Sequence, residues 1–341
     1  MSSRASNLNA KFADIGLTRG KRKSAHANAR PEQDRKAAPQ RQKQLRIDRK
    51  KLDVVQVPAW SELPWLMHGF STRTGGKTTV YKPSQVAGEL NLGFTVSDSK
   101  ETVLANRRLF VSAVTKTGTS PLVTLRQVHS SVVQVVGKAD AGDEASHKAD
   151  GMMTNEPGIL LGIQTADCIP VLIADTKKHA VAAFHAGWRG TLKRIVENGV
   201  GRMRLEFGSR PEDMVAAIGP GIGACCYAVG DEVRMEFESQ FSYAFELFSE
   251  AYDSDPVKEK YPMLFLTARA PGHSNIGPAL HLDLVEANRR QLLDAGLSAS
   301  KIFVQGDCTS CRTDRYFSHR ADHGFTGRSL SVIGSRKEGL G

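Results

Sequence analysis

The stretch Ile159-Leu-Leu-Gly-Ile-Gln-Thr165-Ala-Asp-Cys168-Ile-Pro-Val-Leu-Ile-Ala174-Asp-Thr-Lys-Lys-His-Ala180-Val-Ala-Ala-Phe184-His-Ala-Gly-Trp-Arg-Gly190 decides the fold class. Residues 159–163, 169–174 and 180–184 are apolar runs of strand length bounded by turn-forming residues. The period then changes: Leu192, Ile195, Val196, Val200 and Met203 recur at helical spacing, which predicts a helix over 191–205 after a turn at Gly187 and Gly190. Strands end beside polar residues, where a rigid scaffold presents functional groups.

Upstream, residues 54–57 and 66–70 read as short strands and 100–114 as a helix, and 122–136 reads as two strands around His129. Downstream, 214–218 and 302–304 read as strands and 283–295 as a helix stopped by Gly296. Strands and helices mix without a strict β-α-β rhythm. The expected fold is therefore α+β: a mixed-sheet α/β sandwich forming a single catalytic domain over 52–341. Residues 236–280 are rich in aromatics and acids, then in Pro, Gly and Ser, and read as an insertion or a lid.

The chain has 341 residues, is 40% hydrophobic and carries a formal net charge of +10, all of which sits in residues 1–51. That segment holds 15 Lys or Arg against four acids, so the remainder is near neutral. A nucleic-acid-binding fold would carry its charge on a folded face. Residues 1–51 instead read as a disordered basic tail with almost nothing to bury, open to weak, salt-sensitive attraction to anionic surfaces but to no specific nucleic acid. No apolar run is long enough to span a membrane. A cytoplasmic enzyme is expected, with organellar targeting by the tail left open. The five cysteines are odd in number and widely spread, which favours reduced thiols or metal ligands over a disulfide framework.

Three segments put a metal-capable side chain at or beside a strand: Arg126-Gln-Val-His129, Thr165-Ala-Asp-Cys168 and Phe184-His185-Ala-Gly-Trp-Arg-Gly190. Two imidazoles and one thiolate suit zinc, and a three-ligand set leaves a fourth position for water or substrate. On spacing alone satisfied core histidines and a small buried thiol are the more ordinary reading of the same residues. Arg189, at the start of a helix, and Arg73, in the loop Ser71-Thr-Arg-Thr-Gly-Gly76, are candidates to hold an anion. Asp167, next to Cys168, is a candidate proton carrier or a partner that orients the metal ligands. Cys308 and Cys311 have zinc-knuckle spacing, but a closed site needs a second pair, and the adjacent Cys225 and Cys226 read as poor substitutes.

Other sites are excluded by the text of the sequence. Ile218-Gly-Pro-Gly-Ile-Gly223 lacks the Lys of a P-loop and opens no convincing helix. There is no H-x-E with P-C-x-x-C of the usual zinc deaminases and no H-E-x-x-H.

The ordered motifs Gly69-Phe-Ser-Thr-Arg-Thr-Gly-Gly76, Asn91-Leu-Gly93, Gln127-Val-His129, Ala149-Asp-Gly151, Ala166-Asp-Cys168, His185-Ala-Gly-Trp-Arg-Gly190, Ile218 to Tyr227, Phe317-Ser-His-Arg320 and Thr326-Gly-Arg328 resemble the laccase-domain purine nucleoside phosphorylases. That family is also described as multicopper polyphenol oxidase and as peptidoglycan editing factor. The resemblance implies phosphorolysis of adenosine, inosine, guanosine and methylthioadenosine, adenosine deamination, and zinc held by residues matching His129, Cys168 and His185. The expected substrates are purine nucleosides and phosphate, and Cys168, His185 and Asp167 are expected to be catalytic. Two alternatives stay open. One is a copper-dependent polyphenol oxidase, although ten histidines with no H-x-H pair are few for a multicopper relay. The other is a thiol hydrolase acting in peptidoglycan editing, with Cys168 as nucleophile and His185 as base.

Overall fold

The computed structural model describes residues 52–81, 88–116, 120–142, 145, 147–251 and 279–336. The basic segment 1–51 and most of the expected insertion or lid lie outside the described residues.

Two sheets form the centre. The first contains β1 (Val54–Val55), β2 (Leu66–Ser71), β4 (Leu122–Thr124), β7 (Leu160–Thr165) and β15 (Ser329–Ser335), in the order β1-β2-β15-β7-β4. The second contains β5 (Val133–Val135), β6 (Gly151–Thr154), β8 (Ile169–Asp175), β9 (Val181–Ala186), β10 (Met214–Ile218) and β14 (Ile302–Val304), in the order β14-β10-β8-β9-β6-β5. Both are mixed: β4 pairs parallel to β7, β5 to β6 and β14 to β10, and the remaining pairs are antiparallel. Helices α1 (Lys100–Thr115), α2 (Trp188–Leu192), α3 (Ile195–Phe207), α4 (Asp231–Gln240) and α5 (Leu284–Asp294) complete the α+β expectation.

Side-chain alternation sorts the strands into layers. In β8, Val171 and Ile173 face the helical layer with Phe184, Val196, Val200 and Leu292, while Leu172 and Ala174 face the other sheet with Phe70, Leu161, Ile163 and Ile333. The outer face of the first sheet, with Met67, Leu160, Leu330 and Val332, packs on Phe110, Val111 and Val114 of α1. The result is a four-layer sandwich of helix, sheet, sheet and helices. Its two inner layers are buried on both faces, which explains why 159–184 reads as nearly continuous apolar sequence.

The expected single helix over 191–205 is two helices. Arg194 adopts a left-handed φ of 57° between α2 and α3 and breaks the run that apolar spacing suggests. The loop around Arg73 is also different from expectation, because Thr74–Thr78 continues as a strand, β3. In the stretch after α4, β12 (Phe248–Ala251) pairs with β13 (Ala279–Leu282), which also pairs with β11 (Ala228–Val229). Among the described residues no helix is long and apolar enough to cross a membrane.

Candidate active site

His129 lies in the connection between β4 and β5, Cys168 in the turn between β7 and β8, and His185 near the end of β9. Antiparallel pairing of β8 with β9 brings the last two together, since Ile169 stands opposite Ala186 and Pro170 opposite His185. The connection carrying His129 is tied to β7 by two reciprocal bonds: Gln127 Nε2 donates to the Gln164 carbonyl at 2.7 Å, and the Gln164 amide donates to Gln127 Oε1 at 2.8 Å. The three side chains converge. Their ligand atoms lie within 4.8 Å of one another, the Cys168 sulfur is 3.9 Å from His129 Nε2, and the two imidazoles meet edge to face at 4.9 Å between centroids.

One residue outside the ligand set organises it. Asp150 is wholly buried, and its carboxylate accepts from the amides of Val128 (3.2 Å), His129 (3.0 Å) and Ser130 (2.6 Å), from the Ser130 hydroxyl (2.7 Å) and from His185 Nδ1 (2.8 Å). Burial alone would raise its pKa, but the bonds from His185 and Ser130 hold the carboxyl well below the usual range. Asp150 thereby fixes the backbone of one metal-capable histidine and the ring of the other. His185 keeps Nε2 for a ligand, the carboxylate-histidine arrangement that orients metal-binding imidazoles.

The donor set suits a metal on chemical grounds: two imidazoles, one of them backed by a carboxylate, and a thiol already inclined to ionise. Burial opposes ionisation of Cys168, yet the His185 charge and contacts with both imidazoles bring its pKa from 9.0 down to about 6. Burial likewise opposes a charged His185, but Cys168 and Asp150 push it from 6.5 up to about 9. Gly187 leaves the space beside them open, because a Cβ there would stand 3.1 Å from both the Cys168 sulfur and His129 Cδ2. His129 and Asp167 hold left-handed φ values of 58° and 93°, uncommon for side-chain-bearing residues and frequent at functional sites.

The thiolate is the nucleophile that iodoacetamide alkylates, so modification increases as the thiol ionises. After chelator treatment, iodoacetamide modification of Cys168 should rise as pH rises through about 6 and be nearly flat above pH 8. Peptide mass spectrometry across pH measures this, and a midpoint at an ordinary thiol value of about 8.5 would contradict the electrostatics just described.

The three residues face a cavity of about 1010 Å³. Phe94, Tyr81, Phe325, Trp188 and Tyr227 contribute flat aromatic surface to its lining, and Arg189, Arg320 and Arg328 contribute positive charge. Arg189 lies over the Trp188 ring at 4.3 Å and Arg320 over the Tyr227 ring at 5.4 Å. Tyr227 stays protonated far above neutrality, pushed up to about 12 by burial and by the charge of Cys168.

The expected site residues separate into groups. His129, Cys168, His185, Asp167 and Arg189 all line the cavity. Asp167 is already committed: Oδ1 accepts from the hydroxyls of Thr309 and Ser318 and Oδ2 from the Arg320 amide, each at 2.7 Å. Its carboxylate thus clips the turn carrying Cys168 to the chain near the C-terminus, which fits the positioning expectation better than proton carriage. Arg73 does not reach the cavity. It is 2% exposed, pairs with Glu89 at 2.7 Å and donates to the carbonyls of Thr313 and Tyr316, so the expectation of phosphate binding there is corrected. Its guanidinium is consumed in holding the chain, as a buried charge must be. Sequence reasoning gave no role to Asp150, Tyr227, Arg320 or Arg328. Asp150 had one local signal: an acid between apolar Ala149 and the buried strand that starts at Gly151.

Comparison with known proteins places the chain among similar sequences and folds. Residues 67–336 match the family described as multi-copper polyphenol oxidoreductase laccase. A purine nucleoside phosphorylase, YlmD of Geobacillus stearothermophilus, is 35% identical over 279 residues, covering 79% of this chain and 90% of that protein. An adenosine deaminase, RL5, from an unknown prokaryotic organism is 33% identical over 218 residues, covering 62% of this chain and 74% of its own length. The crystal structure of the Bacillus licheniformis hypothetical protein YfiH superposes with a TM-score of 0.69 at 30% identity, covering 84% of this chain and 98% of that one.

Proposed function

Because the chain belongs to the multi-copper polyphenol oxidoreductase laccase family, we propose that it is a zinc-dependent purine nucleoside phosphorylase with adenosine deaminase activity. Adenosine, inosine, guanosine and methylthioadenosine are its substrates. The observation that carries this reading is the coincidence of an open three-donor centre with a cavity that offers both aromatic faces and arginines.

The two kinds of lining match the two halves of the reaction. A purine is a flat, weakly polar ring, which the faces of residues such as Phe94, Trp188 and Phe325 can take up by stacking. Phosphate is a multiply charged anion, which Arg189, Arg320 and Arg328 hold by charge-assisted bonds. In phosphorolysis a phosphate oxygen forms a bond to the sugar C1′ while the C–N bond breaks. The electron pair leaves with the base, which then takes a proton. Positioning both reactants in one cavity makes the encounter effectively unimolecular. Tyr227 supplies a hydroxyl that keeps its proton at neutral pH beside the leaving base. Asp150 and Asp167 hold the ligand-bearing segments, and Gly187 keeps the approach clear. When bound at His129, Cys168 and His185, zinc would supply a Lewis acid that lowers the pKa of water from 15.7 to about 7, the nucleophile that deamination needs.

Purified protein of known metal content, given inosine with and without inorganic phosphate, should release hypoxanthine and ribose 1-phosphate only when phosphate is present. Arg189→Ala should raise the KM for phosphate roughly 10- to 100-fold, the value of a hydrogen bond to a charged group at about 1.5 to 3 kcal/mol. Release of base without phosphate would make the enzyme a hydrolase. Phenol oxidation that tracks copper content, with no base released, would make it an oxidase.

A further inference from the structure

A second group of metal-capable side chains lies outside the described site. Cys225, Cys226, Cys308 and Cys311 bring their four sulfur atoms within 4.8 Å of one another. The Cys311 sulfur is 3.5 Å from that of Cys225 and 3.4 Å from that of Cys226. A tetrahedral zinc ion with Zn–S bonds of about 2.3 Å requires S···S edges of about 3.8 Å. The cluster therefore has nearly the dimensions of a tetrathiolate cage.

The backbone beside Cys308 favours its thiolate, while burial and neighbouring thiols push Cys225 up and the Cys226 thiol pushes Cys311 up. Gly223 donates its amide to the Cys308 sulfur at 3.2 Å, and the amides of Cys311 and Ser310 also turn toward that atom. Amides directed at sulfur favour the ionised form. Spacing had argued against Cys225 and Cys226 as partners for the knuckle Cys308-Thr-Ser-Cys311. The fold removes that objection. The amides of Cys226 and Tyr227 both bond the Gly223 carbonyl, and the tight turn they close aims both adjacent thiols at Cys311. Gly221 and Cys308 are bridged as parallel strand partners, and the Thr309 amide donates to the Gly221 carbonyl at 2.9 Å, so the two halves are held together by main chain as well. Cys225 and Cys311 are exposed, which gives an ion access from solvent, and all five cysteines of the chain are free.

We infer that Cys225, Cys226, Cys308 and Cys311 form a second, structural metal site that binds one thiophilic divalent cation of the zinc class, with no open position for substrate. Loading releases the remaining thiol protons to solvent and joins residues 219–227 to 308–320. Those are the segments from which Tyr227 and Arg320 reach the cavity and from which Thr309 bonds Asp167. The site is a clamp behind one wall of the cavity, independent of what reaction the cavity performs.

The test uses the full chain with Cys168→Ala in place, so that the first site does not contribute a thiolate spectrum. Under reducing conditions, titration with cobalt(II) should develop the intense thiolate-to-metal charge-transfer and tetrahedral d–d bands of a tetrathiolate complex, saturating at one equivalent and displaced by zinc. Adding Cys311→Ser or, separately, Cys225→Ser should weaken those bands and loosen binding, and both residues are exposed enough for the fold to tolerate the change. In the converse arrangement, wild-type protein should carry two zinc equivalents by elemental analysis and the Cys311→Ser single variant one. Octahedral or absent cobalt bands in reduced, folded protein would overturn the assignment. So would an unchanged spectrum in both serine variants.

Discussion

Cys168→Ala should lower kcat/KM for phosphate-dependent cleavage of inosine by more than about 100-fold. Loss of a residue that merely orients a metal ligand commonly costs 10- to 100-fold, and Cys168 is a ligand candidate itself. The substitution removes the only sulfur among the three donors and leaves two imidazoles that also lose the charge next to them. The His185 pKa, held up by Cys168 and Asp150 against burial, should fall once the thiolate is gone. Steady-state kinetics and zinc analysis on the same sample decide the matter. Undiminished inosine turnover in a zinc-depleted variant would take the metal out of the reaction. Cys168→Ser is the companion, because a hydroxyl of similar shape keeps the packing of the turn and still removes the thiolate.

Asp150→Asn should be the most damaging single substitution for the integrity of the site, although Asp150 touches neither the cavity nor the expected position of a metal. Five donors converge on its two oxygens, three of them main-chain amides of consecutive residues. An amide side chain would turn an NH₂ group toward donors that now bond a carboxylate oxygen. Each buried polar group left unpaired costs about 1 to 3 kcal/mol. Two such losses correspond to a fall in Tm of roughly 5 to 15 °C for a domain of this size. The second expected effect is a drop of about 10- to 100-fold in zinc affinity at the first site, since His185 and His129 both lose their anchor. Thermal denaturation combined with competitive chelator titration separates the two. A variant that melts like wild type and keeps its zinc would show that the carboxylate is dispensable.

Much of the site was legible before any coordinates. His129, Cys168 and His185 were candidates because each lies beside an apolar run, but spacing left core histidines and a buried thiol open, and the resemblance to the family selected the metal reading. The strands β7, β8 and β9 were readable because both faces are buried, so alternation gives way to continuous hydrophobicity. Where the reading failed, the physical causes differ. Arg73 beside paired glycines looked like an anion trap, but Glu89, sixteen residues further along the chain, claims the guanidinium, and no local pattern announces a partner at that distance. The helix over 191–205 was drawn through Arg194 because apolar spacing says nothing about a left-handed residue within it. The four-cysteine cluster was rejected because pairs at 225–226 and 308–311 were compared with known spacings, whereas the geometry that joins them is tertiary. Strand β15 escaped notice altogether: its Ser-Leu-Ser-Val-Ile-Gly-Ser sequence reads as half exposed, yet all seven residues are buried.

That last strand also governs when the molecule comes into being during synthesis. It lies between β2 and β7 at the middle of its sheet, pairing Ser335 with Leu66 and Ser329 with Thr165. Until Ser329–Ser335 is in place, no strand joins β2 to β7, and the layer that supports the Cys168 turn is split down its centre. Such distant pairing is slow and comes late. Without Ser329–Ser335 the layer would be two separate half-sheets, which makes this strand a keystone of the scaffold beneath the Cys168 turn.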